Sequence, residues 1–273
     1  MTYPTGHSIA QTDPPRSPRE TLPTMYDLPS EFPEEPGLPD EFHDLQPQLL
    51  SRTLTLRDYG RDQWFTGSDL NLYYDVHHPL WHKRPDWFLA VGVPRLYDGH
   101  DLRRSYVVWQ EGAAPAIVVE FLSPRTERED LGRFYQDIDQ VNDEGDAAES
   151  VNLEQVPGKL EVYEAYLRVP HYVVYSRYSQ RLRYFQLVGR QYREQSLNDA
   201  PQALWLDDLN VGLGVWEGEF EGIWGHWLRW CDAEGNWLLT DTEQAKSQNQ
   251  AAQQRAERLA QRLRELGVDP DEI

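Results

Sequence analysis

The chain of 273 residues contains a single cysteine and no long apolar segment. One thiol, Cys231, excludes an internal disulfide framework and is typical of a protein from a reducing compartment. No segment approaches the roughly 18 consecutive apolar residues that a membrane-spanning helix needs. The N-terminus also lacks the charged-then-apolar pattern of a secretion signal. These absences predict a cytoplasmic protein without a membrane partner.

Positive charge is scarce as well, with 26 Lys and Arg against 46 Asp and Glu and a net charge of −20. Proteins that bind nucleic acids usually carry a basic surface, because neutralising phosphates dominates their affinity. The charge therefore argues against such a partner. Much of the acidity lies in two segments, 1–45 and 136–157, whereas several arginines lie close to the motifs described below. The sign of the local field near those motifs can thus differ from that of the whole chain.

Composition and patterning divide the chain into three parts. Residues 1–45 are rich in proline and acids and predict a disordered arm. Residues 46–239 predict one domain, with an acidic insert at 136–157 that loops out into solvent. Residues 240–267 predict a helix opened by a Thr240–Glu243 capping box. Its alanines and leucines recur at heptad spacing, which predicts docking on the domain or a short coiled coil that joins a homodimer.

Two apolar segments of the domain carry one carboxylate each. Asp86 follows Pro85 and opens the segment 87–93, and Glu120 interrupts the β-branched segment 117–122. Both segments predict buried strands, and a proline suits the start of a strand because it cannot donate to the ladder. An ionised glutamate buried in such a strand needs a partner. A hard cation such as Mg²⁺ is one candidate, because it takes oxygen ligands.

A third segment adds a basic residue to these acids. Residues 158–166 have a helical pattern in which Lys159 and Tyr163 are four apart and hence on one face. Another apolar segment, 168–175, follows and predicts a further strand. Thr126 and Asp130 are predicted to cap a helix that begins near Glu127. His77, His78 and His82 lie close together but match no zinc-ligand spacing.

The ordered set resembles the PD-(D/E)xK nucleases, and in detail the Uma-two-type restriction endonuclease family. The resemblance rests on Asp86, on the Glu-Phe-Leu-Ser-Pro sequence that begins at Glu120, and on Lys159 with Tyr163; it covers residues 54–230. It implies an α/β, restriction-endonuclease-like fold with a central mixed β-sheet flanked by helices. It further implies that Asp86 and Glu120 bind Mg²⁺ (or Mn²⁺), that Lys159 is catalytic, and that the reaction is hydrolysis of DNA phosphodiester bonds.

Several points stay open at this stage. Members of the superfamily often carry a further carboxylate upstream, for which Glu41, Asp69 and Asp75 are equal candidates. Asp86 and Glu120 are also farther apart than is usual for the family, which predicts an added strand over residues 104–109. The alternative function is a catalytically silent, nuclease-fold protein that acts as an interaction module, and the acidic charge favours it.

Overall fold

The computed structural model describes residues 40–123, 126–135, 156–197 and 202–266. The predicted arm up to residue 39 and the predicted insert over residues 136–155 lie outside the described residues. Five α-helices are present in the described part of the chain: α1 (Glu41–Thr53), α2 (Val108–Glu111), α3 (Glu127–Leu131), α4 (Lys159–Glu161) and α5 (Asp241–Glu265). Helix α4 continues into a π-helical turn over Val162–Tyr166.

Strands of the same part of the chain are β1 (Trp64–Gly67), β2 (Leu72–Tyr73), β3 (His82–Lys83), β4 (Trp87–Val91), β5 (Tyr106–Val107), β6 (Ile117–Phe121), β7 (His171–Ser176), β8 (Arg181–Val188), β9 (Gln191–Gln195), β10 (Ala203–Leu206), β11 (Val211–Phe220) and β12 (Ile223–Cys231). Six of them form a sheet in the order β1-β4-β6-β7-β8-β9. Strands β6 and β7 are parallel, and the other neighbours in this sheet are antiparallel. The expected central mixed sheet is therefore confirmed.

Both faces of this sheet are buried, as the continuous apolar patterns of β4, β6 and β7 predict. Alternate residues along each strand belong to different cores, so that Trp87 packs on one face and Phe88 on the other. Helix α1 and the small sheet β10-β11-β12 cover the Trp87 face. Helices α3 and α4 and the small sheet β3-β2-β5 cover the Phe88 face. Glu120 shares the second face with Val118, because side chains two residues apart point the same way.

Helix α1 joins the β10–β12 sheet to the domain. The buried Gln46 amide donates to the Leu228 carbonyl and accepts from the Leu228 N–H, both at 2.8 Å. The Trp230 indole N–H donates to the Leu50 carbonyl at 2.9 Å. Because α1 begins at Glu41, the last five residues of the predicted arm, 41–45, belong to this helix. No helix of the described residues is long and apolar enough to cross a bilayer.

Two local predictions need correction. The strand expected over residues 104–109 is only two residues long, because β5 ends at Val107 and α2 follows it. Gly112, at a φ of 78°, then ends α2 in a left-handed conformation that suits glycine. The expected docking of the C-terminal helix on the domain is also wrong for the described residues, since α5 buries none of its side chains. Its start is fixed by the predicted capping box and by an ion pair between Glu243 and Arg229.

Candidate active site

The register of the central sheet sets Asp86 opposite Glu120. Strand β4 runs antiparallel to β6, with Trp87 facing Val119, so the residue before β4 lies beside the end of β6. The Asp86 N–H donates to Glu120 Oε2 at 3.3 Å, and the Phe121 N–H donates to Asp86 Oδ2 at 2.5 Å. His43 Nε2 lies 3.1 Å from the Phe121 carbonyl oxygen, which is a second contact to the backbone of this residue. Asp86 and Glu120 therefore lie side by side at the ends of adjacent strands.

Lys159 and Tyr163 approach Glu120 from the helix that covers this face of the sheet. Parallel strands need a crossover connection, and the one between β6 and β7 carries α4 back across the sheet. The Lys159 ammonium lies 3.1 Å from Glu120 Oε2, and the Tyr163 hydroxyl donates to Glu120 Oε1 at 2.7 Å. The i, i+4 spacing thus places both groups on one carboxylate. The π-helical turn that includes Tyr163 is of a kind often found at functional sites.

Asp130 is part of the same cluster, which the sequence did not indicate. Its Oδ1 lies 2.8 Å from the Lys159 ammonium, and its side chain is buried. The contact is an ion pair, and Asp130 lies four residues after Thr126, which is at the N-cap position of α3. The predicted capping role of Asp130 is therefore wrong. Thr126 does precede α3, but its side chain makes no capping bond and contacts Ser123 instead. Asp130 follows two other acids and resembles a solvated helix face, so no sequence signal marked it.

Burial and charge shift the protonation of these groups. Desolvation raises the pKa of Glu120 well above its ordinary value; the Lys159 ammonium opposes this shift and the Asp86 carboxylate adds to it. Desolvation likewise raises the pKa of Asp130. Burial alone would lower the pKa of Lys159, but the surrounding carboxylates outweigh it and raise that pKa well above its ordinary value. One charged ammonium therefore faces three carboxyl groups, of which Glu120 and Asp130 hold a proton more readily than usual.

The pKa of Tyr163 also lies well above its ordinary value, first through burial and then through the charge of Glu120. The phenol consequently keeps its proton and acts as a donor to the carboxylate. Such strongly perturbed groups, gathered at one place, are typical of functional sites.

The described residues contain no group of three or more His, Cys, Asp or Glu side chains arranged as a metal site. What they contain is the pair Asp86 and Glu120, on adjacent strand ends, in a cluster with an excess of negative charge. This pair fits Mg²⁺, which is commonly held by one or two carboxylates together with water and substrate phosphate. The excess charge fits a cation too, because a divalent ion would offset it.

None of the three upstream candidates contacts Glu120 or Lys159 among the contacts of the described residues. Asp69 forms a solvent-exposed ion pair with Arg84. Asp75 accepts from the His77 N–H and pairs with His78, which lowers its pKa. Glu41 lies at the exposed start of α1 and lines a cavity of about 310 Å³ beside Arg177.

Comparison with known proteins agrees with the motif pattern. A search of the curated proteins finds none that matches this chain. The family model Uma2, described as "Putative restriction endonuclease", matches residues 18–215. This match begins before the segment 54–230 on which the resemblance rested and ends within β11. It includes Asp86, Glu120, Asp130 and Lys159. The mixed sheet, its flanking helices and this match together show a restriction-endonuclease-like fold, and the chain belongs to the Uma2 family.

Proposed function

We propose that the protein is a Mg²⁺- or Mn²⁺-dependent endonuclease that hydrolyses DNA phosphodiester bonds, with Asp86, Glu120 and Lys159 as its catalytic residues. The observation that carries this proposal is the cluster at the ends of β4 and β6, where the Glu120 carboxylate lies within hydrogen-bond distance of the Asp86 N–H and of the Lys159 ammonium. In hydrolysis, water forms a bond to phosphorus, the bond to the leaving oxygen breaks, and that oxygen takes up a proton.

The chain's own groups have distinct tasks in this proposal. Asp86 and Glu120 hold the cation, which when bound supplies Lewis-acid stabilisation of charge on the phosphate and a water of lowered pKa. Lys159 stays protonated among the carboxylates and stabilises negative charge that develops on the phosphate. Tyr163 is a positioning residue, because its hydroxyl fixes one oxygen of Glu120. Asp130 is a second positioning residue, since its carboxylate holds the Lys159 ammonium.

Cleavage of supercoiled plasmid and labelled linear DNA tests the proposal. We expect cleavage with Mg²⁺ or Mn²⁺ and none with EDTA. Asp86→Asn and Glu120→Gln should each lower the rate by about 10²-fold or more, as losing one electrostatic stabiliser does in other enzymes. Asp69→Asn is the matched control, because this nearby carboxylate is exposed and pairs with Arg84. Undiminished cleavage by both site variants, with thermal unfolding showing intact folds, would reject the assignment.

A second candidate is a catalytically silent protein that uses the nuclease fold as an interaction module. The net charge of −20 favours it, because such a charge repels a polyanion. Calorimetric titration of Mn²⁺ separates the two candidates. A nuclease should bind the ion in a manner that Asp86→Asn and Glu120→Gln abolish, whereas a silent module should show no binding that depends on these residues.

We also propose that α5 joins two copies of the chain. Leu259 and Leu266 lie exposed on this helix, at the heptad spacing that predicts a short coiled coil. Light scattering of the full chain should give a dimer, and Leu259→Glu combined with Leu263→Glu should give a monomer. A wild-type monomer at high concentration would reject this association.

A further inference from the structure

The hairpin of residues 72–83, formed by β2, β3 and the loop between them, presents aromatic rings to solvent; we name it the aromatic hairpin. Tyr73 and His82 are a directly opposed cross-strand pair whose ring centroids lie 5.2 Å apart. In the loop, His78 stacks on Trp81 with centroids 3.9 Å apart and an interplanar angle of 10°. His78 and His82 are exposed, and Tyr73 and Trp81 are half-buried. His78 and His82 are therefore accessible rings, each supported by a half-buried aromatic partner.

The aromatic hairpin is attached to the elements that carry the candidate site. The Lys83 ammonium lies 3.2 Å from Glu129 Oε1 on α3, one residue from Asp130. On the other strand, the Tyr74 ring packs edge-on against Tyr166 in the π-helical turn, at 5.3 Å between centroids.

The chain also continues directly from this hairpin to the site. His82 precedes Asp86 by four residues, which limits the distance between their Cα atoms to about 14 Å. A nucleic-acid strand with one phosphate at the site would thus reach these rings within a few nucleotides.

The charge of the chain favours a ligand that the aromatic hairpin binds by stacking rather than by many phosphate contacts. The aromatic hairpin and the adjoining Arg84 together contain Lys83, Arg84 and three histidines against one acid, Asp75, in a chain of net charge −20. A protein this acidic gains little from neutralising many phosphates, on which duplex binding chiefly depends. Aromatic rings stack on bases of any sequence, because every base has a flat face. In a duplex the base faces are already stacked on each other, so the rings suit unpaired bases.

We propose that the aromatic hairpin binds unpaired bases of a DNA strand whose backbone leads to Asp86 and Glu120. The substrate class is then DNA with a single-stranded segment, such as a flap, a junction or a displaced strand. The assignment of this DNA as a substrate rests on the proposed nuclease function. Binding of the DNA to the aromatic hairpin can be measured without cleavage.

Fluorescence anisotropy with the full chain in EDTA tests the binding without cleavage. The probe is a labelled oligothymidylate of about 20 nucleotides, longer than typical single-strand sites, and the reference is a blunt duplex of equal length. Trp81→Ala and His82→Ala should each weaken oligothymidylate binding about tenfold, as expected for losing one base stack, with a smaller effect on the duplex. Trp81→Phe, which keeps a ring, should retain most of the affinity.

Trp224→Ala is the matched control, because Trp224 is 69% exposed on β12, outside the central sheet. It should change the affinity less than twofold. Unchanged oligothymidylate binding in Trp81→Ala and His82→Ala would overturn the inference, and so would an equal loss on the duplex. Tighter binding of oligouridylate than of oligothymidylate would overturn the assignment to DNA.

The two proposals can fail independently. Hairpin-dependent binding without any metal-dependent cleavage would reject the nuclease and keep the stacking surface. Cleavage of duplex and single-stranded DNA at equal rates, unaffected by Trp81→Ala, would reject the stacking surface and keep the nuclease.

Discussion

Two buried ionic clusters of this protein differ in how their charges are balanced. Arg103 and Glu111 form a bidentate pair with both contacts at 2.8 Å, and their side chains are 1% and 4% exposed. The same guanidinium donates to the carbonyls of Pro94 and Arg95 and lies over the Phe65 ring. Its donors are thus used within the fold. Lys159, by contrast, is one ammonium shared by two buried carboxyl groups, those of Glu120 and Asp130.

The difference separates a structural ion pair from a candidate functional one. Burying charges costs free energy, which one-to-one pairing with full hydrogen bonding largely offsets. The Arg103 pair meets that condition and joins the loop before β5 to α2. The Lys159 cluster does not meet it, and its surplus of carboxylates raises the free energy of the cation-free fold. Such a surplus is useful when the missing positive charge arrives with a ligand.

Removing either cation should have the largest effect on stability. Arg103→Met and Lys159→Met should each lower the free energy of unfolding by about 3–5 kcal/mol, because each leaves buried carboxylates unpaired. Urea denaturation measures both. A second substitution should then distinguish the clusters. Glu111→Leu should restore most of the loss in Arg103→Met, whereas Glu120→Leu should restore less in Lys159→Met, since Asp86 and Asp130 remain. If both second substitutions restored the same share of the lost unfolding free energy, the charges of the two clusters would be balanced in the same way.

Adding a divalent cation should affect only the unbalanced cluster. Mn²⁺ at 100 times its dissociation constant should raise the free energy of unfolding by about 2.7 kcal/mol. Asp86→Asn should remove this gain, and Arg103→Met, measured from its own lower baseline, should keep it. A gain that survives Asp86→Asn would place the ion elsewhere.

The pH dependence of stability should also distinguish the Lys159 cluster from the Arg103–Glu111 pair. Because the folded-state pKa of Glu120 is raised, the folded protein holds a proton that the unfolded chain has lost above the ordinary glutamate value. The free energy of unfolding should therefore fall as pH rises from that value towards the raised pKa, by up to about 1.4 kcal/mol per pH unit for one proton. The raised pKa of Lys159 adds no slope here, because that group stays protonated in both states below its ordinary value.

Glu120→Gln should reduce this slope in cation-free buffer to the part that the raised pKa of Asp130 contributes, and Glu111→Gln should leave it unchanged. Chemical denaturation at a series of pH values measures both. If the wild-type protein became more stable as pH rises over the same interval, this result would contradict the raised pKa of Glu120.

Removing an exposed ion pair should have the smallest effect on the free energy of unfolding. Asp69 and Arg84 are both more than half exposed, and screening by solvent makes such pairs weak. Asp69→Asn should change the free energy of unfolding by no more than about 0.5 kcal/mol and should leave cation binding unchanged. A larger effect in either measurement would bring Asp69 back as the upstream acid of the site.

Sequence patterns predicted the central strands from local rules, and the resemblance to the nuclease family implied that Asp86 and Glu120 lie together. A proline-aspartate pair at a strand start and a glutamate within an apolar strand define each element separately. Pairing the two strands then leaves few choices of register. The catalytic role of these residues remains a prediction. The strand expected over residues 104–109 was wrong in extent, because short apolar segments fit a strand or a helix equally well.

The amino-acid sequence by itself determined that both faces of β4, β6 and β7 are buried. Successive side chains of a strand point to opposite faces, so a continuous apolar segment is apolar on both. It thereby determined that the Glu120 carboxylate lies inside the protein. Only the tertiary structure decided which groups surround it. Asp130 and Lys159 come from separate helices, and a helix shows which of its faces is buried only when it packs against the sheet. The balance of charge around a buried acid is set by that packing, which is why Asp130 could be recognised only in three dimensions.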